Sequence, residues 1–223
     1  MILRRLLGSK AVVAVLLPVC LALLPSIGNA QQVTTYSGEA VVASVNALGI
    51  KTAISDTGQL PANGGSLSTQ LAGIDLPFLL NLHLLTASTT GGSFRTSSQA
   101  SVANVNLTAA GIGVSASVLT SNATAQSCGG NTPSVAGGST IADLRVNGQS
   151  ITVTGAPNQT VPLLVGSLVI NEQISSVNNS PDGGSAAIVV NALHLKVAGI
   201  ADVVISSSRA GVSCSQPNCI GLF

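Results

Sequence analysis

Apolar and polar residues alternate with a period of two along most of the chain. The clearest case is Ile188 to Ser206, IVVNALHLKVAGIADVVIS, in which Leu193, Leu195 and Val197 oppose His194 and Lys196. Val203 and Ile205 resume the pattern after Gly199. A period of two, rich in β-branched residues and broken at a glycine, predicts two strands half buried against a second layer. Residues 37–56 predict two more strands meeting near Gly49. In the run 71–85, Pro77 would interrupt a helix, and Leu80, Leu82 and Leu84 alternate with Asn81 and His83, so a strand is expected from Leu80. Thr89 to Ser93 is expected to be a loop. Further strands are predicted where Val105 and Leu107 oppose Asn104 and Asn106, and where Ile112, Val114, Ala116 and Val118 oppose Ser115 and Ser117. LVINEQI, Leu168 to Ile174, is another.

The sharpest local signal is IADLRVNGQSITVT, Ile141 to Thr154. Asn-Gly between alternating runs predicts a two-residue hairpin turn, because both central positions need positive φ. Val146 then pairs with Gln149, Arg145 with Ser150 on the outside, and Leu144 with Ile151 on the buried side. Many short strands with frequent turn signals and no strand–helix alternation predict an all-β fold. An antiparallel β-sandwich is expected, with a barrel or a solenoid as the alternatives. VNAL recurs at 45–48 and 190–193, and AGI at 110–112 and 198–200, each AGI followed by a cysteine, Cys128 or Cys214. These repeats raise the expectation of two similar halves, and the Gly/Ser/Pro-rich stretch 125–139 is the expected internal boundary.

Charge changes the picture at the N-terminus. Arg4, Arg5 and Lys10 precede an apolar run from Ala11 to Leu24, and Gly28-Asn29-Ala30 offers small residues for cleavage after Ala30. This is the pattern of a secretory signal peptide over 1–30, leaving 31–223 as a secreted all-β domain. An anchor helix fits less well, since Pro18 and Pro25 interrupt a run short of the ~20 residues a span requires. Val19 before Cys20 speaks against a lipoprotein. Without residues 1–30 the chain keeps five cations and seven carboxylates. No basic patch remains for nucleic acid, no membrane span is expected in the processed chain, and the expected partner is extracellular or in the cell envelope, its identity unknown. Only 7% of residues are charged and 2% aromatic, with no Trp, so Ser, Thr, Asn and Gln must supply the polar surface.

The segments GSTIADLRVNGQSITVTGAPNQTVP, VINEQ and VNALHLKVAGIADVVIS resemble, in that order and spacing, the choice-of-anchor P family. SGEAVV, ISDTGQL and the ASV to SVL run of the earlier half are compatible with it. The resemblance implies export and a role at or near the surface of a bacterial cell, and no catalytic motif. The chain closes on CSQPNCIGLF, without an apolar span, basic tail or sorting motif, so release or attachment through a partner is expected in place of an anchor.

Few residues offer chemistry. Once Cys20 is removed, Cys128, Cys214 and Cys219 remain, an odd number for an oxidising compartment. Cys128–Cys214 is the expected disulfide, because both follow the similar units; Cys214–Cys219 is the rival. No C-x-x-C spacing supports a metal site, and no cofactor is expected. His83 and His194 fall on polar strand faces. Glu172 shares parity with Leu168, Ile170 and Ile174, so a regular strand would turn it inward. A buried carboxylate must be paired or hydrogen-bonded; a bridge to Arg145 or Arg209 is expected, or a bulge that turns Glu172 outward. Gly111-Ile112-Gly113-x-x-Ala116 mimics a dinucleotide fingerprint but opens no helix, and no G-x-S-x-G elbow occurs. Asn106, Asn122, Asn158 and Asn178 stand in N-x-S/T contexts, which carry little weight given the bacterial origin that the resemblance implies. The expected function is a non-enzymatic secreted or cell-surface structural or adhesion-type domain. A glycan-binding module is the first alternative, though only Tyr36, Phe78, Phe94 and Phe223 could stack on a sugar. A carboxylate-dependent hydrolase is the second, needing an acid pair that no motif selects.

Overall fold

The computed structural model describes residues 33–47, 50–180 and 183–215. They form two antiparallel sheets packed face to face, neither closed into a barrel, which is the expected sandwich. The chain opens in the first sheet with β1 (Val33–Ala47) and β2 (Ile50–Asp56). It crosses to build the second from β3 (Gly65–Leu76), β4 (Leu80–Gly92), β5 (Arg95–Ala109), β6 (Ile112–Cys128), β7 (Asn131–Ala142), β8 (Arg145–Val146) and β9 (Gln149–Ser150). It returns through β10 (Gln159–Leu163), β11 (Gly166–Ser180), β12 (Gly183–Val197) and β13 (Ala201–Ser215). The first sheet runs β10-β11-β12-β13-β1-β2, so the first and last strands are neighbours. The second runs β3-β4-β5-β6-β8-β9, with β7 also on β6.

Tight turns account for the meander. Asn147 and Gly148 have φ of 48° and 78°, and Arg145 pairs with Ser150 and Val146 with Gln149, the register expected from Asn-Gly. The Asn147 side chain also accepts a bond from the Gly113 N–H at 2.8 Å, seating the hairpin on β6. Thr89 to Gly92, expected as a loop, continues β4; the reversal comes at Ser93-Phe94, two non-glycine residues with positive φ. The stretch 125–139, expected as a boundary, is the β6–β7 hairpin within the second sheet. The two AGI turns lead into β6 and β13, which pack against each other across the sandwich and end at the two cysteines.

Strict alternation fails at one level of each sheet. In the first, the row Ile170, Leu193, Ile205 and Ala43 is buried, and so is the next row, Asn171, Ala192, Ser206 and Val42. Asn171 and Ser206 take φ of 53° and 58°, left-handed positions that reset which side each following residue faces. In the second sheet two residues in a row turn outward instead. Leu82 and Leu85 are buried while Leu84, with φ 48°, is 62% exposed. Ala116 and Leu119 are likewise inside while Val118 is exposed. Leu84 and Val118 are therefore corrections to the regular pattern; at Leu84 the backbone itself steps out of the β region, which a local period cannot register.

A second correction concerns the hydroxyls. They do not serve the surface alone, because a seam of them lies between the sheets. Thr89, Thr96, Ser98, Ser121, Ser206 and Ser208 are each at most 2% exposed. Ser98 Oγ donates to the Arg209 carbonyl at 2.6 Å, Thr96 Oγ1 to that of Gly211 at 2.8 Å, and Ser206 Oγ to that of Ala100 at 2.8 Å. Ser121 and Ser208 join hydroxyls at 2.7 Å. Side chains this short reach opposite-sheet carbonyls only if the backbones close inside the ~10 Å usual for stacked sheets. A leucine-rich core lies on one side of the seam. On the other is a smaller cluster around Ala123, Ile188, Val190, Val212 and the disulfide.

Gly38 of β1 is part of this closure: an added Cβ would stand 2.3 Å from Thr89 Oγ1 and 3.0 Å from Thr96 Cγ2. Gly38→Ala is expected to cost about 2–3 kcal/mol as an overpacked core, read as a lower denaturation midpoint with an unchanged slope. Gly148→Val meets no neighbour, so its cost is backbone strain of about 1–2 kcal/mol. Limited proteolysis should then cut near residue 148 sooner than in the wild-type chain.

Candidate functional site

The row reversal in the first sheet decides where Glu172 points. Asn171 and Gln173 face the second sheet, where Gln173 Nε2 donates to the Gly137 carbonyl at 3.3 Å. Glu172 consequently lies on the outer face of β11; it turns outward as one expectation had it, but through the left-handed Asn171 and not a bulge, since the register on β12 is unshifted. Its partner is not an arginine. Lys196 Nζ donates to Oε1 at 2.8 Å, and Asn191 Nδ2 and His194 Nδ1 meet Oε2 at 2.7 and 2.6 Å. Arg209 stands instead near Glu39 at 3.9 Å, and Arg145 donates to the Gly148 carbonyl. All three partners of Glu172 come from β12, where the alternation that buries Leu193 and Leu195 turns His194 and Lys196 outward. Asp202 of β13 completes the cluster, receiving His194 Nε2 at 2.8 Å.

Burial would raise the Glu172 carboxyl, whose side chain is 11% exposed, but the bonds from Lys196, Asn191 and His194 and the charge of His194 outweigh it. The group falls from its ordinary 4.5 to about 2. A carboxyl so acidic is ionised at neutral pH and does not serve as a general acid. Both ring nitrogens of His194 stand within hydrogen-bond distance of a carboxylate, Nδ1 at 2.6 Å from Glu172 and Nε2 at 2.8 Å from Asp202. Neither nitrogen is then open to a substrate or a metal. Beside the cluster, an open depression of about 630 Å³ is bordered by Asn46, Ser167, Lys196 and Asp202. Only Lys196 and Asp202 reach from one into the other.

The other sequence candidates are scattered. Cys128 and Cys214 form the expected disulfide, joining the ends of β6 and β13 and so the two sheets. Closing its loop of 86 residues stabilises by about 4.6 kcal/mol on the chain-entropy account. Cys20, Cys219, Phe223 and the cleavage point at Ala30 lie outside the described residues. His83 is exposed on β4, away from any acid cluster. Tyr36 and Phe94 are spent on structure: the Phe94 N–H donates to Tyr36 Oη at 3.1 Å, and the Phe94 ring packs on Gly129. Phe78 is 99% exposed on the β3–β4 turn. Among the described residues no group of three or more His, Cys, Asp or Glu is placed to hold a metal, and no helix is long and apolar enough to cross a membrane. Sequence reasoning singled out Glu172 but missed Asn191, Lys196 and Asp202; the parity of Lys196 with His194 on β12 was a signal, whereas Asn191 lies across the row reversal and Asp202 on the neighbouring strand.

Glu172→Gln should lower stability by about 2 kcal/mol at neutral pH, since it removes bonds to a charged acceptor. The sign of the pH effect follows from the lowered folded value. Stabilisation by Glu172 is full above pH 4.5 and is lost as pH falls towards 2. The gap between wild type and variant, followed by chemical denaturation, should therefore shrink across that window. A gap constant down to pH 2 would show that the ionised carboxyl contributes nothing.

Comparison of the chain with models of known families, with curated proteins and with solved structures returns no match.

Proposed function

We propose that this chain is a non-enzymatic structural or adhesion-type domain, exported and working at or outside the cell surface. The observation that carries the reading is the state of the ionic cluster around Glu172. Both oxygens of Glu172 and both nitrogens of His194 are occupied by partners within the same sheet. Such a cluster braces β11, β12 and β13, and the two members that border the neighbouring depression, Lys196 and Asp202, are each already bonded within it. The signal-peptide pattern of residues 1–30 supports export, and a disulfide between the sheets suits an oxidising compartment.

A glycan-binding role is the second reading, favoured by one feature of the second sheet. Its outer face holds a shallow depression lined by Ser68, Gln70, Thr86, Ser88, Gln99 and Ser101, hydroxyls and amides without charge. Tyr36 and Phe94 contribute no stacking surface to it, being packed elsewhere.

Fractionation of the native cells should place the protein outside the cytosol, shortened at its N-terminus. Intact protein in the cytosol would sink the export reading. A screen for glycoside and ester hydrolysis should return nothing. Turnover that disappears in Glu172→Gln while the melting point stays unchanged would make the protein an enzyme.

A further inference from the structure

A sandwich of open sheets must protect its outer strands from other chains. Most edges here are guarded. β2 is short and carries Lys51, and the part of β1 beyond it is bonded by the following segment: the Thr57 and Leu60 N–H groups donate to the Ala40 and Gly38 carbonyls, and the Tyr36 N–H to that of Ala62. β7 carries Pro133 and the Gly137-Gly138 pair, and β8 and β9 are two residues each. β10 carries Pro162 and covers the start of β11, while Asn158 bonds the backbone of Asn171 and Gln173 just beyond.

Two stretches lack every such guard among the described residues. β3 pairs with β4 alone; from Gly65 to Ile74 it has no charge and no proline, and Leu71 is 41% exposed. Residues 174–179 of β11, Ile-Ser-Ser-Val-Asn-Asn, pair with β12 alone, with Ile174 62% and Val177 50% exposed. The two stretches lie on opposite flanks of the sandwich. β3 is beside β2, at the far side from β7 and β11. They also run in opposite directions at the same height. β3 starts, and β11 ends, at the disulfide end, as the pairings of Gly65 with Gly91 and of Ser180 with Gly183 place them.

We infer that this protein assembles with further copies of itself, the β3 edge of one copy adding antiparallel to residues 174–179 of β11 in the next. A second copy in the same orientation, displaced sideways, brings the two edges together without any turn of the molecule. Neither edge carries a charge that would oppose the contact, and each exposes aliphatic side chains for the other to cover. Because the paired surfaces differ, the contact is head-to-tail and does not close on itself, so it builds rows rather than a dimer. The inference goes beyond the proposed role and does not require it; a chain found in the cytosol would still assemble.

The test uses the full chain and two variants at exposed positions, Leu71→Lys on β3 and Val177→Lys on β11, each checked for an unchanged melting point. Light scattering after size exclusion should give wild type a mass of several chains that falls on dilution. Each variant alone should run as one chain, since every contact needs both edges. Mixing the two should restore a species of two chains, joined by the intact β11 edge of Leu71→Lys and the intact β3 edge of Val177→Lys. A wild-type monomer at every concentration would overturn the inference. So would a Val177→Lys protein that still dimerises, because β3 would then pair with itself.

Discussion

Closure of the two sheets on a seam of hydroxyls is the constraint from which the rest of the structure follows. A chain with no Trp and few aromatics cannot hold its sheets apart with large side chains, so at mid-height it fills the interior with Ser, Thr, Ala and Gly. Short side chains draw the backbones together, and carbonyls of β13 and β5 become acceptors for hydroxyls of the opposite sheet. Each such bond adds only about 1 kcal/mol net, but leaving one of these buried groups unpaired would cost about 1–3. The seam thus acts more as a condition of register than as a source of stability. If β13 slides against β5, Ser98, Thr96 and Ser206 lose their acceptors together. The driving force comes from the leucine-rich core on one side and the cluster behind the disulfide on the other.

The same closure explains why the alternation reverses where it does. Ser206, whose left-handed backbone begins the reversal in β13, is itself a member of the seam. On β13 the inward residues below it are large, Val203 and Ile205, and those just above it are small, Ser208 and Ala210. The reversal is where wide packing gives way to tight packing, and it passes through all four central strands in register. Its chemical consequence is the outward placement of Glu172. With unbroken alternation that carboxylate would be driven between the sheets, where no cation stands.

What could be read in the sequence follows from how far along the chain each signal reaches. The Asn147-Gly148 hairpin was legible to the residue pair, because turn chemistry is local and the φ requirement is strict. The pairing of Cys128 with Cys214 was legible from the parallel placement of two hairpins. The sandwich itself was legible from the period of two. Leu84, Val118 and the continuation of β4 through Thr89 were not, because each depends on what lies across the sheet rather than beside it in the chain. Composition misled in a related way. Many Ser and Thr in a chain of little charge imply a hydroxyl surface, and nothing in the count separates those outside from the buried Ser98, Ser121 and Ser208. For Glu172 the sequence raised the right question, since parity marked it as anomalous, but it pointed to the arginines. The partners lay on the neighbouring strand, which only the register of β11 on β12 could reveal.

The molecule is polar along its strands, and this polarity bears on how a surface domain would be held. Val33 opens β1 opposite Ser215 at the close of β13, so both ends of the described chain leave from one end of the sandwich. The disulfide is at that end, and through Cys214 it ties the last strand to β6 of the other sheet. Load entering through β13 passes covalently into the second sheet before it can strip β13 from its neighbours. β1 has no such link and depends on its ladder and on the segment after β2 that bonds its outer edge. At the opposite end the sheets are held by packing alone, and the turns there present Phe78, Leu164 and Ile200 to solvent. The end that is clamped is therefore the one at which the described chain begins and ends, and the turns 77–79, 164–165 and 198–200 at the other end carry no charge.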